Sequence, residues 1–240
     1  MTSLIDIPGR LALVRERMAA ACRLAGRPED DVRLVAVTKR IKLELVLQAC
    51  AAGQWDLGEN RVGDALDRQA ELATMLQTAN LPVDQLRWHF IGHLQSRKAT
   101  AASGRFCLLH GVDSLKLARK LSALAIDENR REPILLEVNA GREPQKNGLD
   151  PDQAVDVALE MAVFKGLDLR GMMTMAGFDA DESTLRKTFA FLRSLNEDTR
   201  RQSGLPLPEL SMGMSGDFEQ AIAEGATLVR VGSAIFGPRT

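Results

Sequence analysis

Apolar positions along this chain follow two periods. Short runs rich in β-branched residues alternate with longer stretches whose apolar residues fall three and four apart, the patterns of buried strands and amphipathic helices. Leu11, Val14, Met18, Ala21, Cys22 and Ala25 predict a helix over Pro8–Ala25, with Pro8 early and Gly26 just past its end. Val32–Lys39 reads as the first strand, Leu43–Ala52 as a helix closed by Gly53, and Asp56–Asn60 as the second strand. A helix over Arg61–Gln77, a strand Arg87–Gly92, a short helix Ser96–Ser103 and a strand Cys107–Val112 follow. Ser114 caps a helix reaching Asn129, and Ile134–Asn139 is the fifth strand, with the loop Ala140–Leu149 behind it. Asp150 caps a helix to Phe164, and Leu169–Met175 precedes a helix over Glu182–Gln202. Glu209–Met212 is the seventh strand. Asp217 and Gln220 have the spacing of a capping box for a helix to Ala223, and Leu228–Gly232 is the last strand.

Eight strands alternating with helices over mostly short loops predict an α/β fold, a single (β/α)8 TIM barrel over 1–240 with an extra N-terminal helix. A doubly wound open sheet is the competing arrangement. Lys39-Arg40-Ile41-Lys42 after the first strand is not the glycine-rich turn that such a sheet uses, so the barrel is preferred.

Composition narrows the function classes. With 45% hydrophobic and 26% charged residues the chain reads as an ordinary soluble globular protein. A formal net charge of −1 and scattered basic residues give no electrostatic support to a nucleic-acid groove or a membrane surface. No apolar run has the length of a bilayer span, and Met1–Asp6 lacks the basic start and apolar core of a signal peptide. Cys22, Cys50 and Cys107 are too dispersed for a disulfide framework or a metal set, which fits a reducing cytoplasm. His89 and His93 are four apart but fall in a strand and its exit, where that spacing does not suit zinc, so no metal is expected.

In such barrels the active site collects at the carboxyl ends of the strands. Lys39 ends the first strand, where a buried ammonium must be paired, reach solvent, or be used in chemistry. A solvated strand-end lysine and an amine held for a Schiff base both fit. Met212-Gly213-Met214-Ser215-Gly216-Asp217 and Gly232-Ser233, after strands seven and eight, read either as ordinary turns or as the recurrent phosphate site of these barrels. Alternation places Leu228, Arg230 and Gly232 on one strand face and Val229 and Val231 on the other. Arg230 is then either an ion-pair partner of Glu59 or Glu137, or a donor to a bound heterocycle. Glu59-Asn60-Arg61 either orients a ligand or simply ends strand two.

Several segments resemble one family in order along nearly the whole chain. They are Val35-Ala36-Val37-Thr38-Lys39, Leu57-Gly58-Glu59-Asn60, Trp88-His89-Phe90-Ile91-Gly92 through Lys98, Leu210–Ser215, and Val229–Gly237. The chain resembles the pyridoxal phosphate homeostasis proteins, which are similar to the barrel domain of fold-type III enzymes such as alanine racemase. The resemblance implies pyridoxal 5'-phosphate as cofactor, with Lys39 as the Schiff-base lysine and Arg230 facing the pyridine nitrogen. It implies that Ser215, Gly232 and Ser233 hold the phosphate, that Ser211 and Met212 lie alongside, and that Asn60 borders the ring. It further implies cofactor storage or delivery without strong catalysis, with pyridoxal phosphate-dependent apoenzymes as partners and a monomer or weak dimer. A small amino-acid racemase is the alternative, and an aldolase-like barrel that uses Lys39 on a sugar phosphate is a third. Racemisation needs an acid/base group on each face of the substrate carbon, and this chain contains no tyrosine to serve the second. Arg40-Ile41-Lys42, Arg61, His93 and Arg97 depart from the family pattern and add positive charge at the expected rim. Lys146-Asn147-Gly148 keeps the family's Lys-x-Gly, its lysine read as a loop-surface charge or a second amine near the site.

Overall fold

A computed structural model of the chain describes residues 6–177 and 179–238. The signal-peptide reading of Met1–Asp6 therefore falls, apart from Asp6, outside the described residues. Strands β1 (Arg33–Val37), β2 (Asp56–Glu59), β3 (Arg87–Phe90), β4 (Leu108–Val112), β5 (Glu132–Glu137), β6 (Leu167–Met173), β7 (Glu209–Ser211) and β8 (Leu228–Val231) run parallel and in sequence order around a closed barrel. The closing pair is β1 with β8, in register from Arg33 opposite Leu228 to Ala36 opposite Val231, which rules out the open sheet.

Helices α1 (Ile7–Leu24), α2 (Leu43–Ala51), α3 (Val62–Thr78), α4 (Ala99–Ala102), α5 (Leu115–Asp127), α6 (Ala154–Ala162), α7 (Glu182–Ser203), α8 (Phe218–Ala223) and α9 (Ser233–Phe236) surround the strands. The extra helix α1 packs on α8, α9 and α2, so it seals the barrel wall where the first and last strands join. Period-two alternation sorts the strand residues into two cores. Ala36, Leu57, Leu109, Val229 and Val231 pack outward under the helices, while Val35, Leu108, Leu135, Met173 and Leu228 form a separate cluster inside the barrel.

Several expectations are corrected, and β1, β3, β5 and β6 each end two residues before their predicted ends. Strands β5 and β6 each begin two residues before the predicted starts, because their first residues pair with one another, Glu132 with Leu167 and Pro133 with Asp168. The fully buried Glu132 is anchored there through one carboxylate oxygen, Oε2, which accepts from Ser103 Oγ at 2.8 Å, the Gly104 N–H at 2.9 Å and Arg130 at 2.6 Å. Asp217 and Gln220 do not form a capping box. The Asp217 carboxylate instead accepts from the Met214 N–H, closing the turn after β7. The helix expected over Ser96–Ser103 divides into a 3-10 turn at Ser96–Lys98 and the short α4.

Gly171 in β6 takes φ +147°, and a Cβ there would sit 1.9 Å from the Glu209 carbonyl oxygen of β7. Both the dihedral and the contact require glycine. Gly171→Ala is expected to lower unfolding free energy by about 3 kcal/mol, combining backbone strain with forced separation of β6 from β7. Urea denaturation measures it; a change below about 1 kcal/mol would show that this strand pair can shift freely.

Candidate functional site at the barrel mouth

The carboxyl ends of the strands open into a cavity of about 620 Å³, within the size range of small-molecule sites. Val37, Ile91, Met175, Ala180, Leu185 and Met214 give it apolar walls, and Lys39, Ser215, Asp217, Arg230, Gly232 and Ser233 give it polar groups. Lys39 lies two residues beyond β1, half-buried, where the chain turns through the left-handed conformation of Arg40 at φ 60°. It also borders a second cavity of about 530 Å³ lined by Arg40, Glu59, Asn60, Arg61 and Arg68. Lys39 thus stands in the wall between two cavities.

Five of the eight expected residues share the first cavity: Lys39, Ser215, Arg230, Gly232 and Ser233. Asn60 faces the second. Ser211 is fully buried beneath the first cavity, bonded to Arg230, and the Met212 side chain packs in the outer core under the helices. The Ser215 hydroxyl accepts from the Gly232 N–H at 3.2 Å and the Ala234 N–H at 3.3 Å. Two backbone donors therefore already converge beside it, and its own hydroxyl hydrogen is available to a further acceptor.

Arg230 reaches the cavity from inside the barrel and is almost completely buried. It makes no ion pair with Glu59 or Glu137; Glu59 is held instead by Arg68 at 3.0 Å and Thr38 Oγ at 2.7 Å. Arg230 donates to Ser211 Oγ at 2.6 Å and to the Thr174 carbonyl at 2.9 Å. Burial lowers its pKa to about 10, against the opposing pull of Asp217 and Glu137, so it remains a cation at neutral pH.

Behind Arg230 a buried chain of hydrogen bonds crosses the barrel. Ser211 Oγ lies 2.8 Å from His110 Nδ1, His110 Nε2 lies 3.0 Å from His89 Nδ1, and His89 Nε2 lies 2.9 Å from Asp56 Oδ1. The bond directions at the two ends are fixed by Arg230 and Asp56. Burial raises the Asp56 carboxyl, but bonds from His89 and Arg87 outweigh it and leave its pKa below the usual value, so Asp56 is an acceptor only. His89 Nε2 must then donate to Asp56. Burial, with the positive field of Arg230 adding, pushes the His110 pKa well below its ordinary value, so that ring is neutral and offers one donor and one acceptor nitrogen. The Ser211 hydroxyl, beside His110 Nδ1, accepts from Arg230. The chain thus joins the Arg230 guanidinium at one end to the Asp56 carboxylate at the other.

This chain was only partly visible in the sequence. His89 and His110 register there as two strand histidines, and the usable signal was their inward parity on neighbouring strands. Glu137 also faces inward, from the end of β5. Burial, with Asp113 adding and Arg230 opposing, raises its pKa to about 7. At the rim, Arg97 donates to Gln95 at 2.9 Å in an exposed position, and Arg40 and Arg61 line the second cavity. Lys146 is one-fifth exposed, donating to Glu143 at 2.5 Å and to the carbonyl of the cavity residue Met175 at 3.2 Å. It buttresses the cavity wall rather than standing free on the loop surface.

The chain matches the family described as the N-terminal domain of alanine racemase over residues 10–240. It is 40% identical to the pyridoxal phosphate homeostasis protein of Pseudomonas aeruginosa over 97% of this chain and 96% of that protein. The corresponding protein of Aquifex aeolicus is 35% identical, over 96% of this chain and 97% of its own length. Among solved structures, PipY of Synechococcus elongatus with pyridoxal phosphate bound superimposes with a TM-score of 0.83 at 36% identity, covering 97% of this chain and all (100%) of PipY. Alanine racemase of Clostridium difficile superimposes with a TM-score of 0.72 at 16% identity, over 98% of this chain but 57% of the racemase, and shares the fold. A closed eight-stranded barrel, a lysine just beyond its first strand and near-full-length identity to these relatives place the chain in the pyridoxal phosphate homeostasis protein family.

Proposed function

We propose that this chain binds pyridoxal 5'-phosphate at the barrel mouth, held by Lys39 as a Schiff base, and takes part in cofactor homeostasis rather than in strong catalysis. The observation that carries this reading is the single cavity in which Lys39, Arg230, Ser215, Gly232 and Ser233 meet. The residues fit the group: apolar walls suit a planar ring, and the Ser215 hydroxyl, held in place by the Gly232 and Ala234 N–H groups, is a donor that suits a phosphate. When bound, the cofactor supplies an aldehyde that an amine can capture and a pyridine ring that can accept electrons. Lys39 would provide the amine. Arg230, fixed by Ser211 and Thr174, is donor-only, and against a pyridine nitrogen it would leave that nitrogen unprotonated. That weakens the ring as an electron sink and argues against turnover.

A second argument against turnover is the makeup of the cavity. Among its described lining residues the ionisable groups are Lys39, Arg230 and Asp217, and the Asp217 carboxylate is bonded to the Met214 N–H. No proton donor stands ready opposite Lys39 in that set, whereas racemisation needs one on each face. Asn60, Ser211 and Met212 act at one remove in this reading, Asn60 through the second cavity that Lys39 also borders. Pyridoxal phosphate-dependent apoenzymes in a reducing cytoplasm are the recipients it implies, reached from a monomer or weak dimer.

Titration of the purified protein with pyridoxal phosphate tests the proposal. Expected is saturable uptake of one cofactor per chain with a new near-visible absorption band. A protein that stays colourless and takes up none would overturn it. Exchange of amino-acid α-protons in D2O at enzymatic rates, dependent on Lys39, would overturn the non-catalytic part alone.

A further inference from the structure

The barrel mouth carries a second group of potential ligands, built from the ends of three neighbouring strands. Glu137 ends β5, Asp113 follows β4, and His93 stands in the loop after β3. One ligand atom from each of these side chains lies within 4.8 Å of the other two, and His93 Nδ1 is 3.1 Å from Asp113 Oδ2. Glu137 is 1% exposed, and its Oε2 has no hydrogen-bond partner within the protein. A carboxylate oxygen buried without a partner is costly, and the cost is removed by a cation. The group is graded in exposure: Glu137 is deep, the Asp113 side chain is 18% exposed and that of His93 is 36% exposed, so solvent reaches the cluster from the His93 side. Gly111 of β4 passes so close that a Cβ there would lie 3.1 Å from Glu137 Oε2, which fixes one side of the cluster with backbone.

We propose that His93, Asp113 and Glu137 form a binding site for one divalent transition-metal ion, of the Zn2+ class. Protein oxygen and nitrogen ligands sit about 2.0–2.2 Å from such an ion, so ligand atoms on one ion lie about 3–4 Å apart. The observed separations, all within 4.8 Å, exceed that range by less than about 1 Å. Two carboxylates and a neutral imidazole leave the bound ion a net charge near zero and an open coordination position for water on the exposed side. Glu137 ends β5 and Asp113 directly follows β4, so the barrel sets the positions of both carboxylates, and His93 comes to them from the loop after β3. None of the three lines the cavity that holds Lys39, and the metal site does not depend on the cofactor reading. It also departs from the absence of metal expected from the sequence, because the useful partners of His93 are Asp113 and Glu137, far along the chain, and not His89.

The test uses the full-length protein, stripped with chelator and then titrated with Zn2+ against a chromophoric competitor. Expected is one site per chain in the wild type and in Lys39→Ala, weakened at least 30-fold in both His93→Ala and Glu137→Gln. Glu137→Gln is nearly isosteric, and retention of the wild-type circular dichroism spectrum keeps its result interpretable. With Co2+ in place of Zn2+, the visible bands of the Lys39→Ala protein are expected to disappear when His93→Ala is added. No stoichiometric site in the wild type, or a site equally tight in Glu137→Gln, would overturn the proposal and leave the cluster as a His93–Asp113 contact beside Glu137.

Discussion

Lys39→Ala is expected to weaken pyridoxal phosphate binding at least 100-fold and to abolish the near-visible band, while leaving stability within about 1 kcal/mol of wild type. A 100-fold loss corresponds to about 2.8 kcal/mol, a modest value for removing a covalent link to the cofactor. Stability is expected to hold because Lys39 lies in a loop beyond β1 and is not part of the barrel ladder or of either apolar core. Charge and covalency are separated by Lys39→Arg, which keeps the cation but offers no amine able to form a Schiff base. Equal loss in both variants, read by equilibrium dialysis, identifies the amine as the essential feature. An arginine variant that retains the cofactor as tightly as wild type would reduce Lys39 to an electrostatic anchor.

The second large effect is a pair of opposed pH dependences inside the barrel. Burial holds the His110 pKa well below its ordinary 6.5, so the folded protein keeps the ring neutral while the unfolded chain takes up a proton. That contribution to stability is fully present above about pH 6.5 and is lost as pH falls below it. Glu137 behaves oppositely. Its folded pKa of about 7 lies above its ordinary 4.5, so its contribution is fully present below pH 4.5 and is lost as pH rises through 7. Each group contributes a slope of up to about 1.4 kcal/mol per pH unit, and between pH 4.5 and 6.5 the two slopes cancel in large part.

Substitution is expected to expose each slope in turn. Glu137→Gln should lose stability steadily as pH falls from 6.5 to 4.5, because the His110 linkage is no longer offset. His110→Gln should gain up to about 3 kcal/mol over the fall from pH 7 to 4.5, relative to its own value at pH 7. The comparison is of slopes, because His110→Gln also breaks the chain from Arg230 to Asp56 and lowers stability throughout. Urea denaturation of chelator-treated protein across this pH range measures both. Parallel pH profiles for the wild type and the two variants would contradict the burial of these groups.

The barrel was legible in the sequence because its strands are short β-branched or apolar runs of one period and its helices are amphipathic stretches of another. Among the boundaries that slipped, the starts of β5 and β6 fall where Glu132 opens a strand and Asp168 stands second in one. A charged residue reads as loop until its partners are known, and the Arg130 and Ser103 bonds to Glu132 exist only after folding. The cavity residues Lys39, Ser215, Arg230, Gly232 and Ser233 were legible because they lie at strand ends within recognisable segments. Asn60, Ser211 and Met212 belong to those same segments, yet their side chains point to a second cavity, the barrel interior and the outer core. Proximity in sequence to a site does not set which way a side chain faces. The His93–Asp113–Glu137 cluster and the chain from Arg230 to Asp56 are assembled from separate strands, and no local pattern announces them.

Borohydride reduction of the cofactor-loaded protein, followed by peptide mass mapping, tests the central claim most directly. A pyridoxyl phosphate adduct confined to the peptide containing Lys39 is the expected result, with none on Lys146 or on any other lysine. An adduct elsewhere, or no adduct on a protein that nonetheless retains the cofactor, would contradict the assignment of Lys39 as the residue that holds it.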